Sequence, residues 1–240
     1  IMDTDFESAA ENDDITKAVN YAEVSKFITL YVRNNIFRLI ETLASRLADE
    51  ILINFNVSAV TVKIEKPSAP VGLPLKTVAA QITKKWSKAY LSIGSNLGDK
   101  KAYLDFAISS LKEDKNIRVT KVSSYIETEP YGYTEQDEFL NCCTEIETIY
   151  SPHTLLKTVN SIEASADRKR EIHWGPRTLD IDIVLCDNII LNDTKLTIPH
   201  IDMENRFFVL KPLCEIAPYA INPVNNRSVK QMYADLKNSI

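Results

Sequence analysis

Apolar residues recur at helical spacing from Thr16 to Arg33, where Tyr21, Val24, Ile28 and Val32 share one face. The run LIETLASRLADEILINF repeats the pattern, with Ile40, Leu43, Leu47 and Ile51 on one stripe. The period then changes to two: in SAVTVKIEK, Val60, Val62 and Ile64 face one way, which predicts a half-buried strand. After the proline-punctuated KPSAPVGLP, LKTVAAQI predicts a second strand. The first part of the chain thus reads helix, helix, strand, strand. It opens on Ile1 within what reads as a strand, so further residues are expected upstream.

The polar stretch TKKWSK follows, and beyond it the order changes. AYLSIG predicts a strand, Leu97 to Leu111 a helix, and IRVTKVSSYIETE and EFLNCCTEIET two strands. Ser151 to about Ala166 predicts a helix capped by Ser151. TLDIDIVLC predicts a further strand, and NRFFVLKPLCEIAP a short helix packed by Phe208, Leu210 and Leu213. The expectation is an α+β chain: a domain at residues 1–83, a linker at 84–88, and a domain at 89–240. The β-α-β-β-α-β order of the second is the ferredoxin-like arrangement, an antiparallel sheet with helices on one face.

Composition narrows the function. The chain has 240 residues, 45% hydrophobic and 25% charged, with a formal net charge of −5. That is a globular mixture without the basic excess that would recommend nucleic acid or an anionic membrane. No apolar run approaches the length of a membrane span. Cys142, Cys143, Cys186 and Cys214 lie in or beside apolar runs without CxxC spacing, and read as buried thiols of a reducing cytoplasm. Only five glycines occur, with no GxxxxGK[ST] and no GxGxxG, so any nucleotide is held without a P-loop or a Rossmann turn.

HWGPRTLDIDIVL, His173 to Leu185, carries the sharpest chemical signal. Strand residues two apart share a face, so Asp180 and Asp182 project together while Leu179, Ile181 and Ile183 fill the other side. Taken bare, such a pair reads as the wet face of a strand. Beside Arg177 and the arginines of DRKR, it reads as a magnesium site facing a polyphosphate, since Mg2+ takes one or two carboxylates and completes its shell with waters and phosphate oxygens. IPHIDMENRFFVLKPL adds His200 and Arg206, SIGSNLGD adds Asn96 at a glycine turn, and TEPYGYTEQDEFLN adds Phe139 and Asn141.

The motifs IGSNLGD, TEPYG, FLN, WGPRTLDIDI and IPHIDMENRFFVLKPL occur in that order, and residues from about 88 onward resemble 6-hydroxymethyl-7,8-dihydropterin pyrophosphokinase of folate biosynthesis. The resemblance implies a ferredoxin-like fold, ATP as donor, and two Mg2+ ions bridging Asp180 and Asp182. It implies a pterin held by Phe208 and Phe139, with Asn141 and the backbone near Thr128 reading its edge and Asn96 bordering the pterin and metal side. Arg168, Arg177 and His200 would meet the ATP phosphates with Arg206 nearby, and Trp174 would belong to a loop closing over both substrates. This chain has Asp167 and His173 where the family commonly has glycine and arginine.

NYAEV, LIETLA and KIEKPSAP resemble the later two-thirds of dihydroneopterin aldolase, a tunnelling-fold (T-fold) family with pockets between protomers. That resemblance implies Glu41 on the aminopyrimidine edge of a pterin, Lys66 assisting proton transfer, and Tyr21 reaching a neighbouring subunit. Two readings stay open: a working aldolase fused to the kinase, or a scaffold that only joins chains into a homo-oligomer. An RNA-binding reading of a ferredoxin-like sheet is disfavoured, because no RNP1-like strand is present and the acidic pair would repel phosphate. Pterins and ATP, with no nucleic acid and no membrane, are the expected partners.

Overall fold

The structure, a computed structural model, describes residues 1–67, 69–70, 72, 75–130, 136–166 and 176–239. The chain divides into two compact units, Ile1–Trp86 and Ser87–Ile240.

The first unit contains β1 (Met2–Asp3), α1 (Glu7–Ala10), α2 (Tyr21–Asn34), α3 (Ile40–Asn54), β2 (Ala59–Lys66) and β3 (Val78–Lys85). Its strands form an antiparallel sheet in the order β1-β2-β3, with Val62 opposite Ile82. The first helix of the sequence pattern starts later than its apolar spacing predicts. Asn20 accepts from the Ala22 and Glu23 amides and so caps α2, while Ile15–Lys17 forms a separate 3-10 turn capped by Asp14. Only Val24 of the α2 stripe is buried, and Tyr21 is 78% exposed. The helix that lies on the sheet is α3, through Ala44, Leu47, Ala48, Ile51 and Leu52. Residues 84–88 do not form a loop: β3 runs to Lys85 and β4 starts at Ser87. Lys84 Nζ donates to Asp49 at 2.6 Å, and Trp86 Nε1 donates to the Leu52 carbonyl at 3.3 Å, so tertiary partners keep this polar stretch extended.

The second unit contains β4 (Ser87–Ser95), α4 (Lys100–Glu113), β5 (Ile117–Val122), β6 (Ile126–Thr128), β7 (Phe139–Thr148), α5 (Pro152–Ser165) and β8 (Asp180–Cys186). After them come β9 (Leu191–Asn192), β10 (Thr197–Ile198), α6 (Phe207–Ile216), β11 (Ile221–Asn222), β12 (Arg227–Ser228) and α7 (Val229–Ser239). The main sheet is antiparallel, ordered β5-β7-β4-β8, with β6 also on β7. One run expected as a single strand is split into β5 and β6, because Ser124 turns out to meet Glu215 through its amide and hydroxyl. Both small hairpins and α7 went unforeseen.

The two faces of this sheet differ. On one, Leu91, Ile93, Ile146, Ile181 and Ile183 pack with Leu104 and Leu111 of α4 and Leu155 and Val159 of α5. On the other, Tyr90, Cys143, Val184 and Leu185 pack with Val209, Leu210 and Leu213 of α6 and Met232 of α7. Side chains alternate along a strand, so Ser92 and Gly94 follow Tyr90 onto the α6 face. There Gly94 pairs with Asn141 on one side and Asp180 on the other, while Ser92 pairs with Cys143 and Asp182. The α6 face is thus apolar at one end and polar at the other.

Glu145, on the same face, has a side chain only 5% exposed. Thr120 Oγ1 donates to it at 2.9 Å and Lys121 Nζ at 3.3 Å, with Lys88 Nζ at 3.7 Å. Burial pushes its carboxyl up, but these partners outweigh burial and leave it below the ordinary value. A depressed folded pKa gives stability that is present above the unfolded value and lost as pH falls through the folded one. Urea midpoints should therefore drop below about pH 4, and Glu145→Gln should flatten that acid limb while lowering stability at neutral pH.

Candidate functional site

The polar end of the α6 face is built on β8. Leu179, Ile181 and Ile183 are buried, which leaves Asp180 and Asp182 together on the opposite side, their side chains 21% and 33% exposed. Each has a guanidinium. Arg177 Nη1 donates to Asp180 Oδ2 at 2.5 Å, and Arg206 Nη1 donates to Asp182 Oδ2 at 3.2 Å. Burial raises the Asp182 carboxyl above its ordinary value, and the negative charge of Asp180 adds to that, against the pull of His200, Arg206 and Arg177. The site holds its acids under mutual repulsion.

His200 stands beside them, with Nε2 3.8 Å from Asp182 Oδ2, beyond hydrogen-bond reach. Its Nδ1 accepts the Asp202 amide at 3.2 Å, which leaves the proton on Nε2, the nitrogen that faces Asp182. Burial pushes the imidazole below its ordinary value, against the attraction of Asp182, so the ring favours its neutral form. Arg206 also donates through Nε to Asp202 at 3.1 Å, and its guanidinium lies 5.6 Å from the centre of the half-buried Phe208 ring.

On the other side of β4 lies a polar patch. Asn141, 3% exposed, donates through Nδ2 to Thr128 Oγ1 at 2.8 Å. Thr128 pairs with Phe139 in the β6–β7 ladder, so Thr128, Phe139 and Asn141 share a face. A Cβ on Gly94 would lie 2.6 Å from Asn141 Oδ1; the absence of a side chain there lets the amide lie flat against β4.

Asn96 directly follows β4. It is buried, and both ends of its amide are engaged: Nδ2 donates to Gln136 Oε1 at 3.0 Å and to the Asp137 carbonyl at 3.2 Å, while Oδ1 accepts the Arg177 amide at 2.8 Å. Its own amide donates to the Arg177 carbonyl at 3.1 Å. Asn96 ties the segment before β7 to the segment before β8. Arg168 and Trp174, with Asp167 and His173, lie outside the described residues.

In the first unit, Tyr21 opens α2, Glu41 sits in the first turn of α3 and Lys66 ends β2, all three exposed. Among the described residues no hydrogen bond or ion pair links the three to one another.

Sequence reasoning missed Asp202 and Glu163. Asp202 had a signal, standing four residues before Arg206. Glu163 had one too, an acid beside the apolar positions Leu155, Val159 and Ile162 of α5. Among the described residues no group of three or more histidine, cysteine, aspartate or glutamate side chains forms a metal cage, and no helix is long and apolar enough to cross a membrane.

Residues 90–218 match 7,8-dihydro-6-hydroxymethylpterin-pyrophosphokinase, and residues 1–83 match dihydroneopterin aldolase. A 2-amino-4-hydroxy-6-hydroxymethyldihydropteridine pyrophosphokinase of Methylorubrum extorquens is 42% identical over 150 residues, which are 62% of this chain and 94% of that protein. The folic acid synthesis protein fol1 of Schizosaccharomyces pombe is 35% identical over 227 residues, 89% of this chain and 31% of that protein. The chain thus spans about a third of the fungal relative. Among solved structures, Plasmodium falciparum HPPK-DHPS with pterin and p-hydroxybenzoate matches in fold with a TM-score of 0.50 at 16% identity, over 65% of this chain and 45% of that one.

Proposed function

The chain belongs to the 7,8-dihydro-6-hydroxymethylpterin-pyrophosphokinase family, and on that premise we propose that residues 89–240 transfer a pyrophosphoryl group from ATP to 6-hydroxymethyl-7,8-dihydropterin and release AMP. The observation that carries this reading is the pair Asp180 and Asp182, bracketed by Arg177, Arg206 and His200, one strand away from the Thr128–Asn141 patch. The antiparallel order β5-β7-β4-β8, with α4 and α5 on one face, supports a ferredoxin-like fold for this domain.

In the transfer, the hydroxymethyl oxygen bonds to the β-phosphorus, the bond from that phosphorus to the α-phosphate oxygen breaks, and the alcohol proton passes to solvent. No nucleophilic side chain is required, and the work of the protein is alignment and charge stabilisation. The residues fit Mg2+: two carboxylates side by side on one face of β8 offer the oxygen ligands that this ion takes. Asp180 and Asp182 would hold the ions, which when bound neutralise the triphosphate. Arg177 and Arg206 now pair with those acids. They can turn to phosphate oxygens as the acids take cations, so every charge keeps a partner through binding. Neutral His200 can donate from Nε2 to a phosphate oxygen. Arg168 and Trp174 belong to the same proposed ATP site. Asn141 reads the pterin edge with the Thr128 backbone, while Phe139 and Phe208 cover the ring. Asn96 orders the two segments that carry these groups.

For residues 1–83 we propose a T-fold aldolase that cleaves 7,8-dihydroneopterin. Glu41 accepts both N–H donors of the pterin edge, Lys66 moves the proton and Tyr21 completes a neighbour's pocket in a homo-oligomer. The match to dihydroneopterin aldolase and the exposure of all three side chains support it.

The deciding assay incubates the full chain with ATP, Mg2+ and hydroxymethyl-dihydropterin. AMP release that depends on the pterin is expected, and ATP left intact would end the kinase reading. Dihydroneopterin should likewise yield glycolaldehyde, with Lys66→Ala slower by about a hundredfold. Absence of glycolaldehyde from the unaltered chain would favour the scaffold.

A further inference from the structure

We infer that Glu163 is a positioning residue for the acidic pair: its buried carboxylate pins the peptide between Asp180 and Asp182 and so fixes the direction in which both acids project. The inference deepens the kinase reading and rests on those acids holding Mg2+.

Among the described residues the strand β8 lies at the end of the sheet, with β4 as its one ladder partner. Its other edge carries peptide groups that need partners. At the middle residue of Asp180-Ile181-Asp182 that partner is a carboxylate, for the Ile181 amide donates to Glu163 Oε1 at 2.8 Å. Peptide groups alternate in direction along an antiparallel strand, so those of Asp180 and Asp182 point back to β4. The three residues are therefore clamped from both sides, β4 on one and Glu163 on the other.

Glu163 is 3% exposed, in the last turn of α5, a helix anchored by Leu155, Val159 and Ile162 in the core that also takes Leu179 and Ile181. A polar group this deeply buried is costly unless it is hydrogen-bonded, and the Ile181 amide supplies such a bond. Glu163 reaches the strand from the α5 side, while Asp180 and Asp182 leave it toward α6. It does not share their face, and it acts on them through the backbone. A looser clamp would let the carboxylates spread or tilt, which an octahedral Mg2+ shell tolerates poorly.

The test uses the full chain with Mg2+ and an ATP analogue whose α,β bridge is methylene. In the unaltered chain the Ile181 amide should resist hydrogen exchange; exchange as fast as that of a solvent-exposed amide would overturn the clamp without any variant. Glu163→Gln keeps an acceptor oxygen and should hold both that protection and the Mg2+ concentration for half-maximal analogue binding close to the original. Glu163→Met removes the acceptor and should raise that Mg2+ concentration by about tenfold to a hundredfold, with the affinity for pterin unchanged. A folded Glu163→Met chain with the original Mg2+ requirement would sink the inference. Asp182→Ala separates the two levels. If it leaves that Mg2+ concentration unchanged, the cation reading falls; if it raises that concentration while Glu163→Met does not, only the clamp falls.

Discussion

Asp182→Ala is expected to lower AMP release by about a thousandfold in kcat while leaving the fold intact. The carboxylate sits on the central sheet with Asp180 as its neighbour, and the chemistry assigned to the pair needs both. Losing one leaves a single acid to hold cations that must offset a triphosphate. Stability should barely change, for two reasons visible in the site. Burial and the charge of Asp180 already make the ionised Asp182 costly, and Arg206, the guanidinium it would abandon, retains Asp202 at 3.1 Å. Single-turnover conversion of ATP to AMP, compared with the urea midpoint of the same sample, checks both halves. AMP release at the original rate by a folded variant would remove the acids from the mechanism.

The second large effect is expected from Gly94→Ala, through a residue that makes no contact with phosphate. The added methyl would lie 2.6 Å from Asn141 Oδ1, far inside van der Waals contact. The amide must swing away, and its bond to Thr128 Oγ1 at 2.8 Å goes with it. One lost hydrogen bond costs the fold about 1 kcal/mol. The pterin should lose more, about tenfold to a hundredfold in affinity, because a polar edge would meet a misdirected amide. Calorimetric titration with pterin should show the loss while nucleotide affinity stays put. In a double-mutant cycle, Gly94→Ala should add nothing to Asn141→Ala, since both act through one amide. Full additivity would place the glycine's role elsewhere.

Much of this was legible along the chain, and the reason lies in period. Alternation within TLDIDIVLC was enough to put Asp180 and Asp182 on one face, the α3 stripe was visible as a helical repeat, and Ser151 was visible as the cap of α5. What alternation cannot carry is the identity of distant partners. Arg177 stands three residues from Asp180, but Arg206 is 24 residues from Asp182, and Asn96 is 40 from Gln136. Pattern also says which face of a helix is apolar, not what covers it. Tyr21 and Val32 belong to a convincing stripe on α2 and are nevertheless exposed, since α3 occupies the sheet. Similarly, the lysines of TKKWSK read as a linker until Asp49 and the Leu52 carbonyl are seen to fasten β3 and Trp86. The two units do divide at Trp86 and Ser87, but polar composition does not show that strand continues on either side of that division.

The place of β4 between β7 and β8 has a consequence for evolvability. Gly94 is flanked by Asn141 and Asp180 in adjoining ladders, so the two ends of the site are separated by two interstrand spacings, roughly 10 Å. The sheet thereby acts as a ruler whose graduations are peptide bonds, and trimming or enlarging side chains cannot rescale it. An acceptor alcohol of different reach would demand a slipped register, which turns every neighbouring residue inside out. Selection can tune how firmly each end grips; the gauge between them is inherited with the fold.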